Sequence, residues 1–380
     1  MSGPVKMADV LLILPVLDPS GAERVVAELA KRLPKLGFPA SVLCLENENA
    51  AIGIELKSAG LPVYGLHLSR RRSLACGNAI ARHIKNMNLA GPLIVCSQLY
   101  HANIAARIAA TRLPKDVLKQ VRILSTIQVA ERRFRPWQFL FDRLTAKYAI
   151  HEICVAKSVA AFQRRMTGLP EAFFKVIENG NDLSRYAALN TDNVERDPNA
   201  LRVVSVGRLN KQKDYPTLLR AWKIASESAR GARLEIAGSG PEESRLKSLC
   251  AELKLERVSF SGFCSDVPAF LNGADLYVQS SAWEGMPLTV LEAMAAGLPV
   301  IASSVDSLPE MIENGRTGIL FECGNHAELA GRIIDLLNDP ALAKSIGAAA
   351  RETALKRFSA DRMAADFAQL FKQVLSEHPA

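Results

Sequence analysis

Short apolar runs alternate with amphipathic stretches along the whole chain, and this alternation limits the fold more than any other feature. Runs of a few apolar residues bounded by turn residues suit strands buried on both faces, as in parallel sheets covered by helices. In the amino half such runs fall at 10–17, 40–45, 63–66, 93–96, 121–127, 152–155 and 175–177. In the carboxyl half they fall at 201–206, 233–237, 258–260, 276–279, 300–302 and 318–321, and helical stretches at 340–356 and 360–376 close the chain. A length of 380 residues is too great for one ordinary core and suits two α/β domains. The segment 189–200 contains Asn190, Asp192, Asn193, Asp197, Pro198 and Asn199, breaks the periodicity and reads as a linker. The domains expected on either side are residues 1–188 and 201–358.

Composition is that of a globular chain, 49% hydrophobic and 23% charged. The first apolar run contains Pro15, is too short to span a bilayer and lacks a small-residue cleavage pattern, so it reads as a strand rather than a signal peptide. Nothing later reaches spanning length, and the expected location is the cytoplasm. The seven cysteines are scattered without Cys-x-x-Cys spacing, which fits reduced, buried side chains rather than a disulfide frame or a zinc site. No Asp-x-Asp pair is present to clamp a diphosphate through a divalent ion, so neither a metal nor a cofactor is expected.

Glu284 and Glu292 bracket Gly285-Met286-Pro287-Leu288-Thr289-Val290-Leu291. Gly285 permits a tight turn, and Pro287 suits a first helical position, where its missing N–H is not needed. A helix starting near Met286 would present the amides of Met286 to Thr289 to an anion. Carboxylates are pure acceptors, so beside a bound phosphate the two glutamates suit the hydroxyls of a sugar and a ribose. The ligand implied is a nucleotide sugar. Cations for its diphosphate follow the run 201–206: Gly207-Arg208-Leu209-Asn210-Lys211-Gln212-Lys213 places Arg208 and Lys213 at the carboxyl end of a strand, where open α/β sheets bind ligands. Gly238-Ser239-Gly240-Pro241 follows the next strand; it lacks the third glycine of a dinucleotide fingerprint, position 243 being Glu243. It reads equally as a plain βα turn or as a nucleotide contact.

Together these segments resemble the retaining nucleotide-sugar glycosyltransferases of GT-B architecture, family 4 (glycosyl transferases group 1). The likeness runs from Val203 to about Phe321, with weaker echoes upstream. It implies two Rossmann-like domains facing each other across a cleft, the last helix, about 360–378, completing the first domain. It places Glu284 at the donor sugar and the reacting face, Glu292 at the ribose, and Arg208 and Lys213 on the diphosphate. Gly207, Gly238, Gly262 and Phe263, the last two near the nucleobase, and Gly285, Met286, Pro287, Leu288 and Thr289 complete the donor contacts. Such enzymes normally work without a metal, and a UDP donor is implied over GDP.

Two departures from the family pattern lie in the amino half. Where relatives carry a Gly-Gly loop, this chain has Ser20-Gly21, so Gly21 is kept as a donor-phosphate candidate in a stiffer loop. Ser20 and Glu23 also have capping-box spacing for a helix whose apolar face is Val25, Val26, Leu29, Ala30 and Leu33. Many relatives have a histidine where the run Leu124-Ser125-Thr126-Ile127-Gln128 ends in Gln128, which can orient a hydroxyl but cannot exchange a proton at neutral pH. His101 resembles a histidine found after the fourth strand in some relatives. The catalytic candidates are therefore Glu284, Arg208, Lys213, His101 and Gln128, with the choice between His101 and Gln128 open.

Net charge is +8, with basic clusters at Arg70-Arg71-Arg72 and Arg132-Arg133-Phe134-Arg135-Pro136-Trp137. These fit either a solvated basic face or contact with an anionic membrane and a glycan or lipid-linked glycan acceptor at its cytoplasmic face. No nucleic-acid reader motif is present. A GT-B nucleotide-sugar epimerase, a sugar phosphorylase and a non-catalytic nucleotide-sugar-binding protein are the alternatives, since fold alone does not choose among them.

Overall fold

The computed structural model describes residues 7–189, 201–229 and 231–379, so the expected linker lies outside the described residues from position 190 onward. The chain divides into two compact units, Met1–Asn181 with Ala360–Ala380, and Asp182–Ser359.

The first unit is built on seven parallel strands, β1 (Asp9–Leu14), β2 (Ala40–Cys44), β3 (Val63–Gly65), β4 (Leu93–Gln98), β5 (Val121–Ile127), β6 (His151–Cys154) and β7 (Phe174–Val176), in the order β3-β2-β1-β4-β5-β6-β7. Every apolar run of the amino half became a strand; the central strands bury both faces, with Leu11, Leu12, Ile13 and Leu14 all fully buried, while the edge strands β3 and β7 leave Tyr64 and Val176 exposed. The expected run 10–17 is shorter, ending at Leu14, because Pro15 has no N–H to continue the ladder. Sheet residues Leu11, Ile13, Leu43 and Val95 pack against Ile80, Ile84, Ala102 and Ala105 of the covering helices.

The last helix, Ala360–Glu377, belongs to this first unit. Its apolar face, Met363, Ala364, Phe367, Phe371 and Val374, is buried, with Phe371 set edge-on to Phe38 at 5.5 Å between ring centroids. Arg32 Nε donates to Asp361 at 2.7 Å and Arg122 Nε to the His378 carbonyl at 2.7 Å, fixing both ends of the helix. Beneath β5 and β6 the fully buried Arg107 donates to Asp142 and Glu152, each at 2.5 Å, and to Ser125 at 3.1 Å. One cation thus serves two buried carboxylates, and burial together with the charge of Asp142 pushes the Glu152 carboxyl up to about 7.

The second unit has six parallel strands, β8 (Arg202–Val206), β9 (Arg233–Ala237), β10 (Val258–Gly262), β11 (Leu276–Gln279), β12 (Val300–Ser303) and β13 (Ile319–Phe321), in the order β10-β9-β8-β11-β12-β13. Its core gathers Val203, Leu234, Val278 and Ile301 from the sheet around the fully buried Trp222 and Leu218. This is the doubly wound Rossmann order, and the first unit has the same reversal with one more strand. The switch points lie between β1 and β4 and between β8 and β11, where open sheets bind ligands beyond the strand carboxyl ends. Of the cysteines, Cys44, Cys76, Cys96 and Cys154 are buried; Cys323 is exposed, correcting the expectation of uniformly buried thiols, because it sits in the turn after β13.

Candidate active site

The switch point between β8 and β11 brings together residues far apart in sequence. β8 ends at Val206 and delivers Gly207, Arg208 and Lys213; β11 ends at Gln279 and delivers Ser280, Ser281 and Glu284. Lys213 Nζ donates to Glu284 Oε1 at 2.6 Å, with the Lys213 and Glu284 side chains only 14% and 5% exposed. Ser281 Oγ donates to the same oxygen at 2.6 Å and Gln279 Nε2 at 2.9 Å. Among the described residues the other oxygen, Oε2, accepts only from Gln212 Nε2 at a long 3.4 Å. Three donors thus crowd Oε1 while Oε2 keeps lone pairs for a ligand hydroxyl.

A further tier fixes these donors. Tyr277 Oη donates to Gln279 Oε1 at 2.7 Å, which turns the Gln279 amide so that its NH2 faces Ser281 and Glu284. The Glu284 N–H donates to Asp306 Oδ2 at 2.8 Å, and Ser303 Oγ holds the Ser281 carbonyl at 2.6 Å. Ser280 Oγ and the Ala282 N–H bond the carbonyls of Lys213 and Gln212 at 2.9 and 2.8 Å, lacing the β8 and β11 loops into one wall. Tyr277, Gln279, Ser281, Gln212 and Asp306 were missed by sequence reasoning. The one signal available was polar Gln279 closing an otherwise apolar run.

The glycines serve the same lacing. Gly238 adopts φ +148, and a Cβ there would lie 1.9 Å from the Gly207 carbonyl oxygen. Its N–H donates to the Gly262 carbonyl at 2.7 Å, and Gly207 N–H donates to Ala237 at 2.9 Å. So the open choice for Gly238-Ser239-Gly240 has a structural answer first: the loops after β8 and β9 approach too closely for a side chain at Gly238 or Gly240. Gly207 has a separate reason, since a Cβ there would meet the Lys213 stem at 3.0 Å. Phe263, next to Gly262, is 61% exposed, a free aromatic face at the edge of these loops, and Arg208 is exposed at the end of β8.

The helix after Glu284 runs Leu288–Ala295, with Pro287 in the N-cap position at ψ 117. It therefore begins two residues later than expected. The extended ψ of Pro287 keeps Met286 and Pro287 out of the first turn, and Pro287 O already accepts from Val290 N at 3.2 Å. The first-turn amides that no backbone carbonyl takes are those of Leu288 and Thr289. Glu292, on the same helix, is 5% exposed, and Gly285, Met286, Pro287 and Leu288 are all buried.

Gly21, His101 and Gln128 lie in the first unit. The helix Gly21–Arg32 starts where expected, with Ser20 as N-cap, but the capping box is not formed. Ser20 Oγ donates instead to the carboxylate of the buried Glu23, so the Ser20 hydroxyl caps no helix amide. Gln128 sits in a side-chain chain: Asn179 Nδ2 donates to its Oε1 at 3.1 Å, its Nε2 to Gln98 at 3.1 Å, and Gln98 to Thr126 at 3.2 Å. His101 stands in the first turn of the helix Leu99–Ala110. Burial, followed by the charges of Arg70 and Arg71, lowers its imidazolium below the ordinary histidine range. Its Nδ1 is buried and has no hydrogen-bond partner among the described residues.

Comparison with known proteins places this architecture. The family model for glycosyl transferases group 1 matches residues 190–353, and the model for glycosyltransferase family 4 matches residues 19–185. The chain belongs to the family 4 glycosyltransferases, of GT-B fold. It is 36% identical over 170 residues to the putative glycosyltransferase EpsD of Bacillus subtilis, 44% of each chain. It is 32% identical over 177 residues, 46% of each chain, to the N-acetyl-alpha-D-glucosaminyl L-malate synthase of Bacillus anthracis. These matches span about half the length of the relatives concerned. Among solved structures, Anabaena HepE in complex with UDP superposes with a TM-score of 0.80 at 21% identity, covering 97% of this chain and 100% of that one. Sucrose-phosphate synthase from Thermosynechococcus elongatus superposes with a TM-score of 0.81 at 20% identity, covering 98% and 100%.

Proposed function

We propose that the protein transfers a sugar from a nucleotide sugar, a UDP-sugar by preference, to a glycan or lipid-linked glycan, with retention of anomeric configuration and without a metal. The reaction would serve cell-surface polysaccharide, lipopolysaccharide or glycolipid synthesis at the cytoplasmic face of the membrane. The observation that carries this reading is the meeting of Lys213 and Glu284 at the β8/β11 switch point, 2.6 Å apart. Support comes from relatives: a Rhizobium meliloti lipopolysaccharide core biosynthesis glycosyltransferase is 29% identical over 220 residues, and HepE binds UDP in its crystal.

In this reading Arg208, Lys213 and the amides of Leu288 and Thr289 hold the diphosphate, Glu292 takes the ribose hydroxyls, and Phe263 covers the base. Glu284 Oε2 accepts from a hydroxyl of the donor sugar. As the bond from the anomeric carbon to the β-phosphate oxygen breaks, the acceptor oxygen bonds to that carbon on the same face. The acceptor proton passes to the departing phosphate oxygen, and the cations and amides stabilise the charge that gathers there. Gln128 and His101 are the candidates for orienting acceptor hydroxyls rather than exchanging protons.

The test is incubation of the purified protein and membrane extract with labelled UDP-sugars, with and without a chelator. Labelled product that keeps the α-configuration and survives chelation is expected. Release of an epimerised nucleotide sugar, or a phosphate-dependent sugar 1-phosphate, would replace this reading with the epimerase or phosphorylase alternative.

A further inference from the structure

The helix Pro136–Thr145 carries apolar side chains where a globular protein does not keep them. Trp137, Leu140 and Leu144 are 59%, 56% and 60% exposed, and Phe141 lies beside them at 38%. At 3.6 residues per turn these four fall within an arc of about 100°, a continuous stripe rather than scattered exposure. Tyr148, also exposed, continues it just beyond the helix. The opposite face is anchored: Phe139 and Thr145 are buried, and Asp142 is held by Arg107 at 2.5 Å and by Gln163 at 2.5 Å. The stripe is thus fixed outward by a buried ion pair.

Its borders are basic. Residues 131–147 include Arg132, Arg133, Arg135, Arg143 and Lys147 against Glu131 and the buried Asp142. All five cations are exposed, and Arg164 and Arg165 add to them on the neighbouring helix Lys157–Thr167. An apolar stripe with a cationic rim fits one kind of partner best, a surface apolar within and anionic at its edge. A second copy of this chain would bring two equally basic rims together.

We propose that the Pro136–Thr145 helix lies in the plane of an anionic lipid bilayer, with Trp137, Leu140, Phe141 and Leu144 inserted below the headgroups and the arginines on the phosphates. This deepens the membrane part of the proposed function and rests on it, but uses no donor-site residue. The docked helix would hold the first unit against the surface that carries a lipid-linked acceptor.

The experiment is flotation of the full-length protein with phosphatidylcholine vesicles and with vesicles containing phosphatidylglycerol, comparing wild type with the Leu140→Glu, Leu144→Glu double variant. Both leucines are exposed, so circular dichroism and melting should be unchanged, and UDP binding measured on the same samples reports the donor site separately. Wild type is expected to float with anionic vesicles only, less so as salt rises, and the double variant to lose about tenfold or more of its partitioning. A wild type that binds UDP but stays with the unbound fraction overturns the proposal, as does a double variant that floats like wild type. A concentration-dependent dimer dissociated by the two glutamates would assign the stripe to self-association instead. Loss of UDP binding with flotation intact would count against the donor site and leave this proposal standing.

Discussion

Lys213 and Glu284, 71 residues apart in the chain, form an ion pair of 2.6 Å with both side chains largely withdrawn from solvent. A lysine ammonium has three donors and Glu284 uses one, so Lys213 can hold the carboxylate and still offer two to a phosphate. The pair need not break for a diphosphate to enter. Lys213→Ala and Arg208→Ala are expected to lower turnover by about a hundredfold or more, the usual effect of removing one donor to a developing anion. The two should differ in stability. Arg208 is exposed and its loss should leave melting unchanged, whereas losing Lys213 strands a buried carboxylate and should cost about 3 kcal/mol. Parallel kcat and chemical-denaturation measurements check both.

Glu284→Gln keeps size and hydrogen-bonding capacity but removes the charge facing Lys213. Gln279 and Ser281 already donate to Oε1 at 2.9 and 2.6 Å, so the amide oxygen can take over their bonds. The fold should persist while transfer falls at least about tenfold, because the group that balances Lys213 is gone. Melting temperature and initial rate measured on the same preparation decide this.

Gly238→Ala places a methyl group where the Gly207 carbonyl oxygen stands, at a backbone angle that side chains rarely adopt. A loss of about 2 kcal/mol or more is expected, together with weaker UDP binding, since the loops of β8 and β9 must separate. Gly262→Ala, also at positive φ but with open space around its Cβ position, should cost less. Calorimetric titration of both variants with UDP makes the comparison.

The buried pair of carboxylates predicts a pH dependence of stability. The Glu152 carboxyl is raised from 4.5 to about 7 in the folded protein, so the folded state binds more protons than the unfolded state between those values. Its contribution is fully present below about pH 4.5 and is lost as pH rises through about 7, up to about 3 kcal/mol. Glu152→Gln should remove that slope, leaving Arg107 with Asp142 alone, and should gain on wild type most at pH 8. Denaturant midpoints at pH 5 and pH 8 test the sign.

Much of the fold was legible because strands of a covered parallel sheet are written as apolar runs, and each strand among the described residues coincides with a run read from the sequence, even the half-exposed β10, where Val258 and Phe260 alternate with serines. Strand and helix ends were less so, since Leu14 stops at Pro15 and the Leu288 helix waits for Pro287, both local backbone effects that apolar pattern does not report. Arg208, Lys213 and Glu284 stood out because charge at a strand end is conspicuous in sequence. The residues that surround Glu284, namely Tyr277, Gln279, Ser281 and Asp306, did not, because only the sheet order brings β11 beside β8 and β12 beside β11. Ser20 and Glu23 show the converse: their spacing marked the helix start but not that the two side chains would bond each other. The exposed stripe on Pro136–Thr145 was hidden for a related reason, since sequence periodicity reports two apolar sides and only packing shows which one is covered.

The central claim is tested most directly by diffraction from a crystal soaked in UDP. The pyrophosphate should lie against Arg208, Lys213 and the amides of Leu288 and Thr289, with the ribose on Glu292 and Glu284 still bonded to Lys213. Nucleotide bound elsewhere, with the crevice beyond β8 and β11 unfilled, would contradict it.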